Sequence, residues 1–350
     1  MRLLSILGSF ILLVFTAWRP PASEQVFAGL QPQLSTDTHG NIRLVFGRAD
    51  SIFCATSNDG GNQFSKPIFV GAIPGMHLGN TRGPQLASSA HYSVITAIAK
   101  DGTIHFFRLN HASNTWQYGG VVNDKKASAP EGLMSIAADA QDRFYAVWLD
   151  VRYKQTNNIY FSTLDGQGKK WAKNRLLYVS PDGHVCECCK PSIAVSGNNV
   201  AIQYRNWYQG SRDLYLLTSN NSGGTFGIAQ KLGVGTWKLK GCPMDGGGVV
   251  VDGAGNIQTV WQREGIVYYC KPGTPEQELA SGRSCSIALN RNAKKEVVLL
   301  QQGNSVKLVD INSKNESDVG TGGFAKGIVL PDGKVLCAWE ADKTIHIKQL

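Results

Sequence analysis

One recurring unit constrains the fold more than any other feature: an apolar strand ending in a polar turn, followed by a β-branched or aromatic strand. The clearest copies are Gln33–Thr36 into Asn41–Phe46, Pro84–Ala87 into Tyr92–Ile95, and Met134–Ala137 into Phe144–Trp148. Pro191–Ala194 into Val200–Tyr204 and Gly248–Val251 into Ile257–Trp261 follow, with weaker copies at Ser286–Leu289 into Glu296–Leu299 and Gly327–Leu330 into Val335–Trp339. Most continue into a third strand, such as Ser51–Cys54 or Asn158–Phe161. A period of roughly 40 to 58 residues with up to four strands per unit describes propeller blades, each burying its faces against its neighbours. The seventh copy ends at Ile345–Lys348 without a fourth strand, and Val26–Ala28 can supply it, removing an exposed sheet edge. The sequence therefore predicts an all-β propeller of four-stranded blades, seven favoured and six the alternative. The N-terminal strand closes the ring, and residues 23–350 form a single domain.

Ahead of that domain, Arg2 is followed by an apolar run without charge until Arg19. The run falls short of the roughly 20 residues of a spanning helix, so the pattern predicts a signal peptide over residues 1–22, cleaved near Ala22, with an uncleaved anchor as the rival reading. No later apolar run is long enough to cross a bilayer, so the expected location is periplasmic or secreted. There an oxidising environment makes disulfides available to the eight cysteines, although an even count does not give the pairing. The formal net charge of +9 is spread along the chain. On an exported chain, scattered Lys and Arg point to acidic ligands or surfaces, not to nucleic acid.

Two turns share a pattern: Ser57-Asn58-Asp59-Gly60-Gly61-Asn62-Gln63-Phe64 and Ser219-Asn220-Asn221-Ser222-Gly223-Gly224-Thr225-Phe226, with a looser version running from Ser162 through Asp165 to Trp171. An Asp or Asn can bond its own turn backbone, glycine supplies positive φ, and the aromatic packs beneath. These turns resemble the Asp-box (BNR) repeats of sialidase-like β-propellers. The resemblance covers most of the chain and implies a six-bladed family fold, with an Arg, often followed by Asn, that binds a carboxylate ahead of such a hairpin. Arg205-Asn206, with Arg212, stands in that place. Where sialidases carry a nucleophilic Tyr before Ser, this chain has Gly282-Arg283-Ser284-Cys285, so an enzymatic role stays open.

In four-stranded blades the loops leaving strands two and four share one face, opposite these turns. That face collects the unusual residues, and binding residues concentrate on loops held by a rigid scaffold. Arg82, Arg152, Arg205 and Arg212, with Asn206, are the expected clamp for an acidic glycan or small molecule, since guanidinium pairs bidentately with carboxylate. Asp150 and Asp245 are candidates for a general acid; the bland alternative pairs them with the arginines. His184, Cys186, Cys188, Cys189, Cys242 and Met244 form a second set. It admits stapling disulfides, a soft Cu or Zn site, or a redox-active Cys188-Cys189 pair, and it founds the alternative function of a metal-handling or protein-binding propeller. No cofactor is required by any motif. Trp148, Trp261 and Trp339 recur at one blade position and are expected in the core, as are Cys54, Cys270 and Cys337.

Overall fold

The computed structural model describes residues 24–290 and 294–350; the expected signal peptide lies outside them. Among the described residues, twenty-eight strands form seven antiparallel four-stranded sheets. The chain is a seven-bladed propeller, as the repeat predicts. In the closing blade the N-terminal strand Gln25–Ala28 pairs with the C-terminal strand Thr344–Gln349, Val26 opposite His346 and Phe27 opposite Ile345. Among the described residues no helix is long and apolar enough to cross a membrane.

The second strand of each blade explains why the repeat reads as apolar runs and not as alternation. Ile42–Arg48 is buried at every position but the last, and Phe144–Asp150 is buried throughout. A blade's middle strands are covered on both faces by neighbouring blades, so both sets of side chains must be apolar. One apolar cluster fills each of the seven interfaces, including that between the first and last blades, where Ile42, Leu44 and Phe46 meet Leu336 and Ala338. Trp148, Trp261 and Trp339 lie in these clusters, as do Cys54, Cys270 and Cys337.

The turns far from the long loops are pegged into the preceding blade around the ring. In Ser57–Phe64 the Ser57 hydroxyl donates to Asp59 Oδ1 (2.7 Å), and the Gly61 N–H donates back to Ser57 Oγ (2.9 Å). Ser219–Phe226 repeats the scheme with Asn221 and Gly223 (2.8 and 3.0 Å). Gly61 and Gly223 have φ of 87° and 75°, and a Cβ there would meet Leu336 or Phe161 of the adjacent blade at 2.9 or 2.7 Å. Glycine is required both by the left-handed backbone and by the close approach.

Three inner strands break their register at the same place: Leu30–Gln33 in blade one, Arg283–Ser286 in blade six and Gly323–Lys326 in blade seven. A bulge adds a residue to one strand and re-aims the side chains around it. All three bulges lie at the ring's axis, on the face of the long loops.

Candidate functional site

Where these inner strands begin, the axis opens into a bowl of about 340 Å³ lined by Asn80, Pro243, Met244, Asp245, Arg283, Ser284, Gln301, Gly323, Phe324 and Glu340. Below it is a narrow neck that shares Met244, Asp245, Ser284 and Phe324 with the bowl and adds Gln31, Gln33, Thr81, Lys190, Cys285 and Lys326. Five blades each present the neck with a non-glycine residue in the left-handed region: Gln31 (φ 57°), Thr81 (68°), Met244 (51°), Ser284 (52°) and Phe324 (52°). Each such residue costs about 1–2 kcal/mol. Backbone strain of this kind persists only where the surroundings hold it, and it gathers at ligand clamps and active sites.

The neck also holds two lysines that no motif pointed to. Lys190 follows Cys189 on the loop leading into blade four, and its Nζ donates to Gln85 Oε1 (3.2 Å). Lys326 projects from the bulged inner strand of blade seven. Burial pushes the pKa of Lys190 well below the ordinary lysine value, and the neighbouring charge of Lys326 adds to the effect. Burial lowers Lys326 as well, against the opposing influence of Cys285 and Asp245. Above them, burial raises the Glu340 carboxyl against hydrogen bonds from the Gln31 backbone N–H (2.8 Å) and side-chain amide (3.1 Å).

Asp245 locks three blades together at the rim. Its Oδ2 accepts the Ser284 N–H (2.7 Å), its Oδ1 accepts the Gly247 N–H (3.1 Å), and its carbonyl accepts Arg205 Nε (3.0 Å) and Nη2 (2.9 Å). Two backbone donors thus hold the carboxylate in place while it faces the cavity. Arg205 is 1% exposed. Its remaining bonds go to the carbonyls of Arg212 (2.7 Å) and Gln262 (2.9 Å), so it braces the backbone between blades instead of presenting donors to an anion.

The other expected clamp residues are also occupied. Arg152 pairs bidentately with buried Asp150 (2.9 and 2.8 Å), bonds Asp124 and Asn174, and lies over the Tyr160 ring. Asp150 accepts from Ser128 and Trp148 as well, and it lies wholly inside the protein. Arg82 bonds the Glu131 carbonyl (2.6 Å), and Asn206 is buried with its amide donating to the Tyr178 hydroxyl (3.0 Å). Arg212 donates to Cys186 Sγ (2.9 Å) with its guanidinium above the Trp207 ring. The expected clamp does not converge on one cavity, because each arginine meets acceptors from another blade or loop that sequence spacing does not reveal.

The cysteine set partly converges. Cys188 and Cys242 are bonded, and Cys186 and Cys189 sulfurs lie beside them. The Sγ separations are 3.5 Å for Cys186 and Cys189, 3.7 Å for Cys186 and Cys188, and 3.9 Å for Cys188 and Cys189. Hydrogen bonding with Cys189 and the charges of Arg212 and Arg205 lower the Cys186 thiol to about 6, while burial and its neighbour drive Cys189 up. His184 instead stacks on Trp207, and Met244 lines the bowl. The cysteine and cavity loops interlock at Gly246, whose Cβ, were there one, would lie 1.9 Å from the Lys190 carbonyl oxygen.

No protein-family model matches the chain, and no curated protein matches its sequence. Its shape does match solved structures. Kuenenia stuttgartiensis hydrazine synthase superposes with TM-score 0.59 at 9% identity, over 96% of this chain and 99% of that one. A family PL25 ulvan lyase bound to -[GlcA(1-4)Rha3S]- gives 0.55 at 11%, over 91% and 93%. A mutant of the Aleuria aurantia lectin in complex with alpha-methyl-L-fucoside gives 0.52 at 14%, over 76% and 91%. At such identities the likeness establishes the β-propeller fold, which is the class of protein this chain belongs to, and nothing about its chemistry.

Proposed function

We propose that this propeller binds an acidic saccharide on its long-loop face, with the ligand's carboxylate or sulfate group seated in the axial neck between Lys190 and Lys326. One observation carries the reading: two lysines, their ammonium groups disfavoured by burial, line a neck ringed by five strained residues. An incoming anion restores what burial removes, because an opposite charge favours the protonated form. The bowl is of the size that ligand sites occupy, and Arg283, Gln301 and Asn80 on its wall offer donors to sugar hydroxyls. Two of the similar propellers hold sugars, which is compatible with the reading. The resemblance to sialidase-like propellers supports the same ligand class. The reading is of binding; the arginine set that resemblance implies is turned inward here. With the leader at residues 1–22, the protein would meet such glycans outside the cytoplasm.

The test is calorimetric titration of the purified chain with sialyllactose, trigalacturonate and lactose. Binding of at least one acidic sugar, no binding of lactose, and loss of binding in Lys326→Ala are expected. Equal affinity for lactose, or unchanged affinity in Lys326→Ala, would overturn the assignment.

A further inference from the structure

We propose that Cys186, Cys188, Cys189 and Cys242 form a thiolate site for a soft d10 cation, Zn(II) or Cu(I), in the reduced chain. The geometry of the sulfurs carries the proposal. Zinc bound tetrahedrally by thiolates at about 2.3 Å has sulfurs about 3.8 Å apart along each edge. The triangle formed by Cys186, Cys188 and Cys189 has edges of 3.5, 3.7 and 3.9 Å, one face of such a tetrahedron, and Cys242, bonded to Cys188, is at hand for the fourth corner. Three of the four cysteines are buried, Cys186 at 0%, Cys189 at 1% and Cys188 at 7% exposure, while Cys242 closes the site from its exposed loop. Cys54, Cys270, Cys285 and Cys337, by contrast, lie singly in strands of the core.

The surroundings suit an anionic thiolate cluster. The Arg212 Nη1–H···Sγ bond to Cys186 (2.9 Å) is the kind of outer hydrogen bond that orients a ligand and sets its basicity. Four thiolates around a divalent cation leave a net charge of −2, and Arg212, with Arg205 crossing behind the Asp245 carbonyl, supplies positive charge beside it. Thiolate sulfur selects Zn(II) or Cu(I) over hard cations.

The same sulfurs make the site redox-gated. A dithiol reductant delivers two electrons and two protons to the Cys188–Cys242 bond, becoming a disulfide itself and leaving two thiols. Loading one cation onto four thiolates then releases up to four protons. With the disulfide intact, two thiolates remain and the tetrahedron cannot form. Cys189 runs directly into Lys190, and Cys242 stands three residues before Asp245, so the cation would fix both cavity-lining loops.

The experiment titrates Zn(II), and separately Cu(I), into the full chain against a competing chromophoric chelator, once oxidised and once after dithiol reduction under anaerobic conditions. The reduced chain is expected to take up one equivalent of at least one of the two cations, with an all-sulfur shell by X-ray absorption, and the oxidised chain to bind at least 100-fold more weakly. Comparison of the two titrations identifies the cation. Arg212→Met should weaken binding by roughly 10–100-fold, and Cys186→Ser by more. Cys54→Ser, in a strand core, should leave affinity unchanged. Should Cys186→Ser fail to fold, the wild-type sulfur shell and the redox contrast still decide. No uptake by the reduced chain, equal uptake by the oxidised chain, or a nitrogen and oxygen shell would each overturn the site.

Discussion

Two enclosed groups of charge on the same face behave in opposite ways. In blade three, Arg152 and Asp150 meet in a bidentate pair whose remaining valences are filled by Asp124, Asn174, Ser128 and Trp148. On the axis, Lys190 has one amide acceptor, Lys326 shares the neck with it, and the backbone around both is strained. The first group is architecture: a satisfied network holds the loop and asks nothing of solvent. The second is charge kept without a full set of partners, at a cost in stability, and that cost is what an anionic ligand can relieve. The arginines that look functional in sequence belong to the first kind, and two lysines outside any motif to the second.

The largest effect should come from breaking the satisfied network. Asp150→Ala strands the Arg152 guanidinium among buried groups and should lower stability by about 3–5 kcal/mol, read by chemical denaturation. The molecules that stay folded should bind an acidic sugar as before. Loss of binding without loss of stability would reverse the roles of the two regions.

Next in size, Lys190→Ala should weaken binding of the acidic sugar by at least about 30-fold, the low end of the effect of truncating one partner of a buried charge pair. Stability should not fall, since removing a poorly solvated ammonium eliminates a cost. A destabilised chain that still binds would show that Lys190 belongs to the scaffold.

The neck of the cavity was only partly legible in the sequence, and the reason is physical. Blade number and ring closure follow from the apolar period, because every middle strand must satisfy two neighbours at once. The turn chemistry of Asp59 and Asn221 was legible because its hydrogen bonds are local. Arg205 misled, because its acceptors, the carbonyls of Asp245 and Gln262, are 40 and 57 residues away. The bulges that aim Gln31, Ser284 and Phe324 at the axis depend on register between strands, which side-chain pattern alone does not encode. Lys326 did leave a trace: it interrupts an inner strand, and inner strands face the axis. That signal is available only once the strand's place in the blade is known. The cysteine cluster was legible as a meeting of loops from adjacent blades, whereas His184 and Met244 were not separable from it by spacing.

A pH effect separates the regions further. Both neck lysines have native pKa values below the unfolded one, so between the two values the unfolded chain binds more protons than the native one, and stability rises with pH across that window. Ligand affinity should move the other way, falling as pH climbs past the depressed values and the ammonium groups are lost. Denaturation midpoints and binding isotherms recorded over the same pH series check both signs; parallel trends would remove the lysines from the account.

The smallest expected effect is at the strained backbone. Ser284→Gly keeps the N–H that Asp245 accepts and releases the left-handed strain, at the expense of glycine's extra freedom when unfolded. The balance should be a gain of about 0.5 kcal/mol, visible as a slight rise in denaturation midpoint.

An anion should meet the half-buried lysines of the neck, and proton linkage tests this most directly. Titration of an acidic sugar at about pH 9, below the ordinary lysine value, in two buffers of different ionisation enthalpy measures protons taken up on binding. Net uptake that diminishes in Lys326→Met is predicted. Binding without proton uptake, or uptake unchanged by that substitution, would contradict it.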